Sequence, residues 1–266
     1  MNLRLFRSSV ALPTVAVVLL AVLASCQKSS GSGQASGDAC TDEFRAGQPT
    51  SSVSGTRLLC RDQYIALYDP ARKVPLVVGE HLETSELGGS EGRTNNFAPD
   101  PELPQGERAE LADYRNSGYD RGHMAPAADF HGGATEMSQS FYLSNMVPQN
   151  PELNRGLWAG LEGATRNCAK TVGGLYILTG PIFEGRERTI GPDRVAVPSS
   201  VYKIVVSGNA ARAFLVPNRS VPKTSNFSRY ETTVDEIQTA SGLNFFPQGG
   251  VNTQQRGNFC AGSYGG

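Results

Sequence analysis

Apolar runs of strand length recur along this chain in hairpin order, with only two segments of helical period among them. That ordering restricts the folds open to it. LLCRDQYIALYDPARKVPLVVGEHL, residues 58–82, holds two short apolar runs around the turn pair Asp69-Pro70 and reads as a β-hairpin. FYLSNMVPQ (141–149) reads as a buried strand ending at Pro148. LYILTGPIF (175–183), VYKIVVS (201–207) and ARAFLVP (211–217) are three more, the last two forming a hairpin around Gly208-Asn209. One helix is expected from about Leu153 to Ala169, with Leu153, Leu157, Leu161, Ala164 and Cys168 at helical spacing. The other is TVDEIQTASG, with Thr233 and Glu236 as a capping box and Gly242 beyond its end. Residues 83–116, rich in Gly and Pro, read as loop. The pattern predicts an α/β domain of the α+β kind, on a mainly antiparallel central sheet flanked by helices, rather than a parallel doubly wound fold. No internal repeat and no Gly-rich phosphate loop is visible, which weighs against a nucleotide-cofactor enzyme.

The N-terminus has a different character. Arg4 and Arg7 precede an almost wholly apolar run from Val10 to Leu23, too short for a membrane span of about 20 residues. It ends in LASC, residues 23–26, which resembles a bacterial lipobox. The expectation is a lipoprotein signal peptide over 1–25 and a lipidated Cys26. A Ser/Gly-rich tether follows over 26–39, and a folded domain over 40–266 at the periplasmic or outer-membrane face of a bacterial cell envelope. Four cysteines then remain, Cys40, Cys60, Cys168 and Cys260. An even count in an exported chain implies two disulfides, for which sequence allows three pairings; Cys40 with Cys60 and Cys168 with Cys260 is the expected one. The chain carries 24 Lys and Arg against 25 Asp and Glu. This balance excludes a whole-surface electrostatic case for nucleic acid, so any polyanion site must be a local patch of particular arginines.

YDRGHMAPAADF, residues 119–130, holds one of only three histidines, His123, beside Asp120, Arg121 and Gly122. A strand-borne histidine, a second strand and then a helix opening near Asn154, with Glu162 two turns on and Arg166 one turn beyond, make a ββα unit that turns helix residues back toward His123. Taken singly, Asn154 reads as a helix cap and Glu162/Arg166 as a surface pair at i,i+4.

DRGHMAP followed by SNMVPQNPELNRGLWAGLE resembles the signature of the DNA/RNA non-specific endonucleases with a ββα-metal fold, the group of secreted sugar-non-specific nucleases and mitochondrial endonuclease G. The resemblance runs from about Cys40 to GLNFFP near the C-terminus. It implies His123 as general base, Asn154 as the single protein ligand of Mg²⁺ (Mn²⁺ being the alternative), and Glu162 as the carboxylate holding the metal's waters. Arg121, Arg93 and Arg166 would face the phosphate, and Asn145 matches the family's pattern near the substrate, although a turn or strand-end hydrogen bond suits it better. An unperturbed imidazole pKa near 6.5 would suit the base. Asp120 reads as an anchor for the loop or the arginine, Gly122 as a hinge, Trp158 as core, and His81 and His131 as carrying no role. The function expected is Mg²⁺-dependent hydrolysis of DNA and RNA without sequence preference. The partners expected are a membrane reached through the lipid, a second copy in a homodimer, and an inhibitor protein. The rivals are a catalytically silent nucleic-acid-binding or surface-interaction lipoprotein on the same scaffold and a phosphodiesterase for small diesters.

Overall fold

The computed structural model describes Met1 and residues 42–224 and 226–265; the expected signal peptide, Cys26, the tether and Cys40 lie outside the described residues. The first strands are β1 (Thr50–Ser51), β2 (Arg57–Cys60), β3 (Ile65–Asp69) and β4 (Val74–Glu83). The 58–82 hairpin is therefore β3–β4, and the apolar run before Asp69 is broken at 61–64 into two strands. Asp69 makes the turn: its carboxylate accepts from the amides of Ala71 and Arg72, and its carbonyl accepts from Lys73.

β5 (Asp120–His123) and β6 (Met146–Gln149) form a separate two-stranded ladder in which His123 faces Met146. The strand expected over 141–149 is shorter than its apolar run, because a tight turn over Leu143–Asn145 precedes it. Next come β7 (Gly174–Ile182), β8 (Arg188–Ile190), β9 (Val195–Val197), β10 (Ser200–Ser207), β11 (Ala210–Pro217), β12 (Glu231–Thr232) and β13 (Leu243–Asn244). The central sheet has seven antiparallel strands in the order β12-β11-β10-β7-β4-β3-β2. Ser207 pairs with Ala210 across Gly208, whose φ of 61° supplies the turn.

The helices are α1 (Leu111–Tyr114), α2 (Ala134–Ser140), α3 (Pro151–Leu153), α4 (Ala159–Val172), α5 (Val234–Ser241) and α6 (Ala261–Tyr264). A π-helical turn, Asn154–Trp158, joins α3 to α4. Leu157, Trp158, Leu161 and Cys168 pack on one face of the sheet, against Val78, Ile177, Val201 and Val205. α5 covers the other face, where Val234 and Ile237 meet Leu178, Ile204 and Val206. Burying each such side chain stabilises the fold by about 1.5–3 kcal/mol. The capping box of Thr233 and Glu236 and the left-handed Gly242 bound α5 as its sequence predicts.

Cys168 of α4 is bonded to Cys260, just before α6, with Cα atoms 5.5 Å apart and a sequence separation of 92. In the chain-entropy model a loop of that length is worth about 4–5 kcal/mol. Cys60 is also disulfide-bonded, and Cys40, its expected partner, lies outside the described residues. Among the described residues no helix is long and apolar enough to cross a membrane.

Candidate active site

His123 ends β5 and is 8 % exposed. Its ring stands edge-on to Phe141 at 5.1 Å and tilted to Phe97 at 5.6 Å. Gly122 is required here for space rather than as the hinge expected. A Cβ at this position would lie 2.2 Å from Oε1 and 2.5 Å from Cβ of Gln149 on the neighbouring strand, so only glycine lets β5 and β6 close.

A cavity of about 400 Å³ opens in front of the imidazole, lined among others by Arg93, Phe97, Tyr114, Tyr119, Arg121, Asn154 and Glu162. The structure thus gathers Arg93, Arg121, His123, Asn154 and Glu162, which lie on a loop, a strand and a helix, around one space. The aromatic residues were not legible in the sequence; Phe97 comes from the Gly/Pro-rich loop, where an isolated ring carries no pattern. They hold the cations in place. The Arg121 guanidinium lies over the Phe97 ring at 4.1 Å, and that of Arg93 over Phe141 at 4.9 Å. Arg93 Nε also donates to Asn95 Oδ1 at 2.8 Å. Neither arginine has a carboxylate partner among the described ion pairs, so both charges are available to an anion.

Those two charges also act on the histidine. Burial pushes the His123 pKa from 6.5 down to about 3, and Arg93 and Arg121 add to the effect. The unperturbed value expected from sequence is therefore corrected. The imidazole stays neutral, able to accept a proton, and is a weak base chiefly because it is buried and secondly because of the neighbouring positive charge. Its Nε2 is shut off from solvent and has no hydrogen-bond partner.

Asp120 has the anchoring role expected, but its targets are Asn154 and Arg155. Its carboxylate accepts from Asn154 Nδ2 at 2.9 Å and from Arg155 Nε and Nη2 at 2.8 and 2.6 Å. A carboxylate only accepts, so it fixes which way round the Asn154 amide sits and leaves Oδ1 unengaged. Glu162 is half-buried, and its carboxyl is raised to about 7. Burial is the main cause, partly opposed by Lys203, Arg166 and Arg93 and reinforced by Asp129.

Beneath the pocket the α4-facing side of the sheet carries polar groups in a row that sequence reading missed. Val78, Thr179 and Lys203 are cross-strand partners, and Glu80 lies two residues on from Val78. Lys203 is fully buried; its Nζ donates to Thr179 Oγ1 at 2.7 Å and sits 5.3 Å from the Trp158 ring. Both carboxyl oxygens of Glu80 are buried without a hydrogen-bond partner, and its pKa is pushed well up by burial and then by Asp129. Single charged residues inside strand patterns look like solvent-facing positions, and only the register shows them stacked under the site.

Two candidate residues move. Arg166 does not face the cavity and does not pair with Glu162; its Nη1 donates to Asp129 Oδ1 at 2.8 Å, 37 residues away in sequence. Asn145 is wholly buried and fully engaged. Its Oδ1 accepts from the Ala125 amide, and its Nδ2 donates to the carbonyls of Ala125 and Ser140. It braces the chain after β5 and is not a substrate contact. Of the other histidines, His81 stacks on Tyr176 and His131 meets the Glu91 carbonyl.

Among the described residues no group of three or more His, Cys, Asp and Glu side chains could hold a metal ion. A cation in this cavity would be held by the Asn154 amide oxygen and, through water, by Glu162. Few protein oxygens and many retained waters suit Mg²⁺, so the residues present fit such an ion.

This geometry has counterparts in known proteins. A family model described as DNA/RNA non-specific endonuclease matches residues 43–252. The chain belongs to that family. It is 36 % identical to "Nuclease EXOG, mitochondrial" of Xenopus laevis over 214 residues, 74 % of this chain and 60 % of that protein. It is 35 % identical to "Nuclease C1" of Cunninghamella echinulata var. echinulata, over 76 % of this chain and 86 % of that one. To "Endonuclease G, mitochondrial" of Homo sapiens it is 34 % identical over 72 % and 70 %. The chain thus spans only about 60–65 % of the length of the Xenopus laevis and Danio rerio EXOG relatives. Among solved structures, a crystal structure of an EndoG/EndoGI complex superposes with a TM-score of 0.70 at 29 % identity, covering 77 % of this chain and 92 % of that one. The α+β fold with its central antiparallel sheet and the ββα unit agree with this membership.

The expected localisation is overturned. Relatives on both sides of the comparison, EXOG and endonuclease G, are named as mitochondrial nucleases, not as lipid-anchored proteins of a bacterial envelope. The segment that suggested a membrane partner lies outside the described residues.

Proposed function

We propose that the protein is a metal-dependent endonuclease that hydrolyses phosphodiester bonds of DNA and RNA, with His123 as the general base. One observation carries this reading. A neutral histidine, two arginines without carboxylate partners and an asparagine whose amide oxygen is left unengaged share one cavity with Glu162.

Arg93 and Arg121 bind the scissile phosphate, each presenting a planar donor fork to its oxygens. Burial holds His123 down most, and Arg93 and Arg121 add to it; the phosphate's negative charge offsets the arginine part and so favours the protonated imidazole. His123 then takes a proton from the water that bonds to phosphorus; the bond to the 3′ oxygen breaks, and that oxygen takes a proton from solvent to leave as a 3′-hydroxyl beside a 5′-phosphate. Asn154 and, through water, Glu162 would hold a Mg²⁺ ion, which when bound would supply charge neutralisation at the phosphate. None of these contacts reads a base edge, so cleavage without sequence preference follows. The EndoG structure that this chain resembles was solved with an inhibitor, and a protein inhibitor of comparable kind is proposed as a partner here.

The test is plasmid nicking and RNA degradation by the purified protein, with Mg²⁺ and with EDTA, beside His123→Ala. Mg²⁺-dependent cleavage that the variant loses while retaining its melting temperature supports the reading. A folded wild-type protein that cleaves neither polymer with Mg²⁺ or Mn²⁺ overturns it.

A further inference from the structure

Asn154 and Glu162 are eight residues apart. At about 100° per residue an uninterrupted α-helix would leave them about 80° apart around its axis, on different faces. The structure solves this with the π-helical turn Asn154–Trp158. An i→i+5 turn absorbs one more residue than an α turn, which brings the remaining offset to about 20°. Asn154, Arg155, Ala159 and Glu162 all line the cavity, so the residues before and after the turn share that space. We propose that this π turn, opened at Gly156, is the device that puts Asn154 and Glu162 on one face, and that Gly156 is a positioning residue for the metal-holding pair. The proposal rests on the reading of Asn154 given above.

Gly156 is where the helix departs from helical geometry, with φ −110° and ψ −105°. A Cβ there would meet nothing within 4 Å, so glycine is not required for space. What it contributes is backbone freedom, and alanine favours the regular helix by about 1 kcal/mol. Both halves of the helix are held against rotation. Upstream, Asp120 grips Asn154 and Arg155, and the Asn154 amide donates regularly to the Asn150 carbonyl. Downstream, Leu161 is buried and Cys168 is bonded to Cys260. Closing the turn with all eight residues retained would rotate one half against its anchor and separate the pair. Removing one residue would close it into an α-helix with seven-residue spacing, which leaves the pair together.

The experiment compares the full chain with Gly156→Ala, with deletion of Gly156, and with Asn154→Ala, measuring Mn²⁺ binding by electron paramagnetic resonance. The emission of Trp158, the chain's single tryptophan, and thermal melts report folding. The expected result is Mn²⁺ affinity weakened about tenfold or more in Gly156→Ala. The deletion variant keeps the wild-type affinity within about threefold, since its spacing restores the shared face. In nicking assays Gly156→Ala raises the Mg²⁺ concentration for half-maximal rate without raising KM for DNA, a split that general loosening of the fold would not produce. Wild-type affinity in Gly156→Ala overturns the inference, as does a deletion variant that folds normally but loses Mn²⁺. If wild type binds Mn²⁺ and Asn154→Ala binds it equally well, the assignment of Asn154 fails and the role of the turn fails with it. A wild-type chain that binds no Mn²⁺ has the same consequence.

Discussion

The two faces of the central sheet are built from the same strands and serve different ends. Toward α5 the sheet presents Leu178, Ile204 and Val206, all apolar and closed by Val234 and Ile237. Toward α4, neighbouring positions on those strands alternate with them and carry Thr179 and Lys203 among the valines, with Glu80 beside them. A buried ammonium and an unpartnered carboxyl are costly, whereas valine or leucine would pack there without penalty. The difference teaches that stability is concentrated on the α5 face, while the α4 face gives some of it up to hold charges beneath the cavity. Active sites commonly make that exchange.

Substitutions on the two faces should separate activity from stability. His123→Ala should cut the nicking rate by about 10²–10⁴-fold and leave the thermal midpoint within a few degrees of wild type. Ile237→Ala, on the α5 face, should do the reverse, costing about 2–5 kcal/mol in denaturant unfolding while leaving the rate of the folded protein unchanged. If Ile237→Ala changes the rate as much as the stability, the two faces are not independent.

The charges under the cavity sharpen the contrast through pH. His123 is neutral to well below pH 6, so it does not set the acid limb of the rate profile. Glu162 does, and the rate should rise with an apparent midpoint near 7, measurable as kcat/KM against pH at low Mg²⁺. Raising Mg²⁺ should move that midpoint down, because a cation favours the carboxylate. Lys203→Met removes a positive charge that lowers the Glu162 pKa, so the midpoint should move up. An unmoved midpoint would show that Lys203 only fills space.

The stability linkage of Glu162 has a definite sign. Its folded pKa is raised above the ordinary 4.5, so its contribution is fully present below 4.5 and is lost as pH rises through about 7. Glu162→Gln should therefore raise the melting temperature more at pH 8 than at pH 5. His123 acts oppositely: its folded pKa is lowered, so its contribution is present above 6.5 and is lost as pH falls toward 3. The smallest effect belongs to the remote α5 cap, where Thr233→Ala should cost about 1 kcal/mol without touching the pH profile.

What could be read in advance was local. The α5 capping box, the Gly208 turn and the β10–β11 hairpin depend on residues within a few positions of one another, and their signals stand in the sequence. His123, Asn154 and Glu162 were legible through the motif around them. What stayed hidden was set at a distance. Arg166 looked like the partner of Glu162 four residues away, but its guanidinium finds Asp129 across the fold. Gly122 looked like a hinge until Gln149 was placed against it. In NRGLW only Gly156 marks a weak point, and a mid-helix glycine alone does not tell a π turn from an α turn; the anchors on either side act with it.

The grip of Asp120 on Asn154 also bears on how such a site can evolve. A carboxylate would seem a better cation ligand than an amide, and Asn→Asp is a small step in sequence space. At position 154 that step would set two carboxylates against each other where the amide now donates at 2.9 Å. The newcomer would be repelled or protonated before it met a metal. The single step to aspartate at position 154 therefore meets a penalty set by Asp120, and a change at position 120 would remove it.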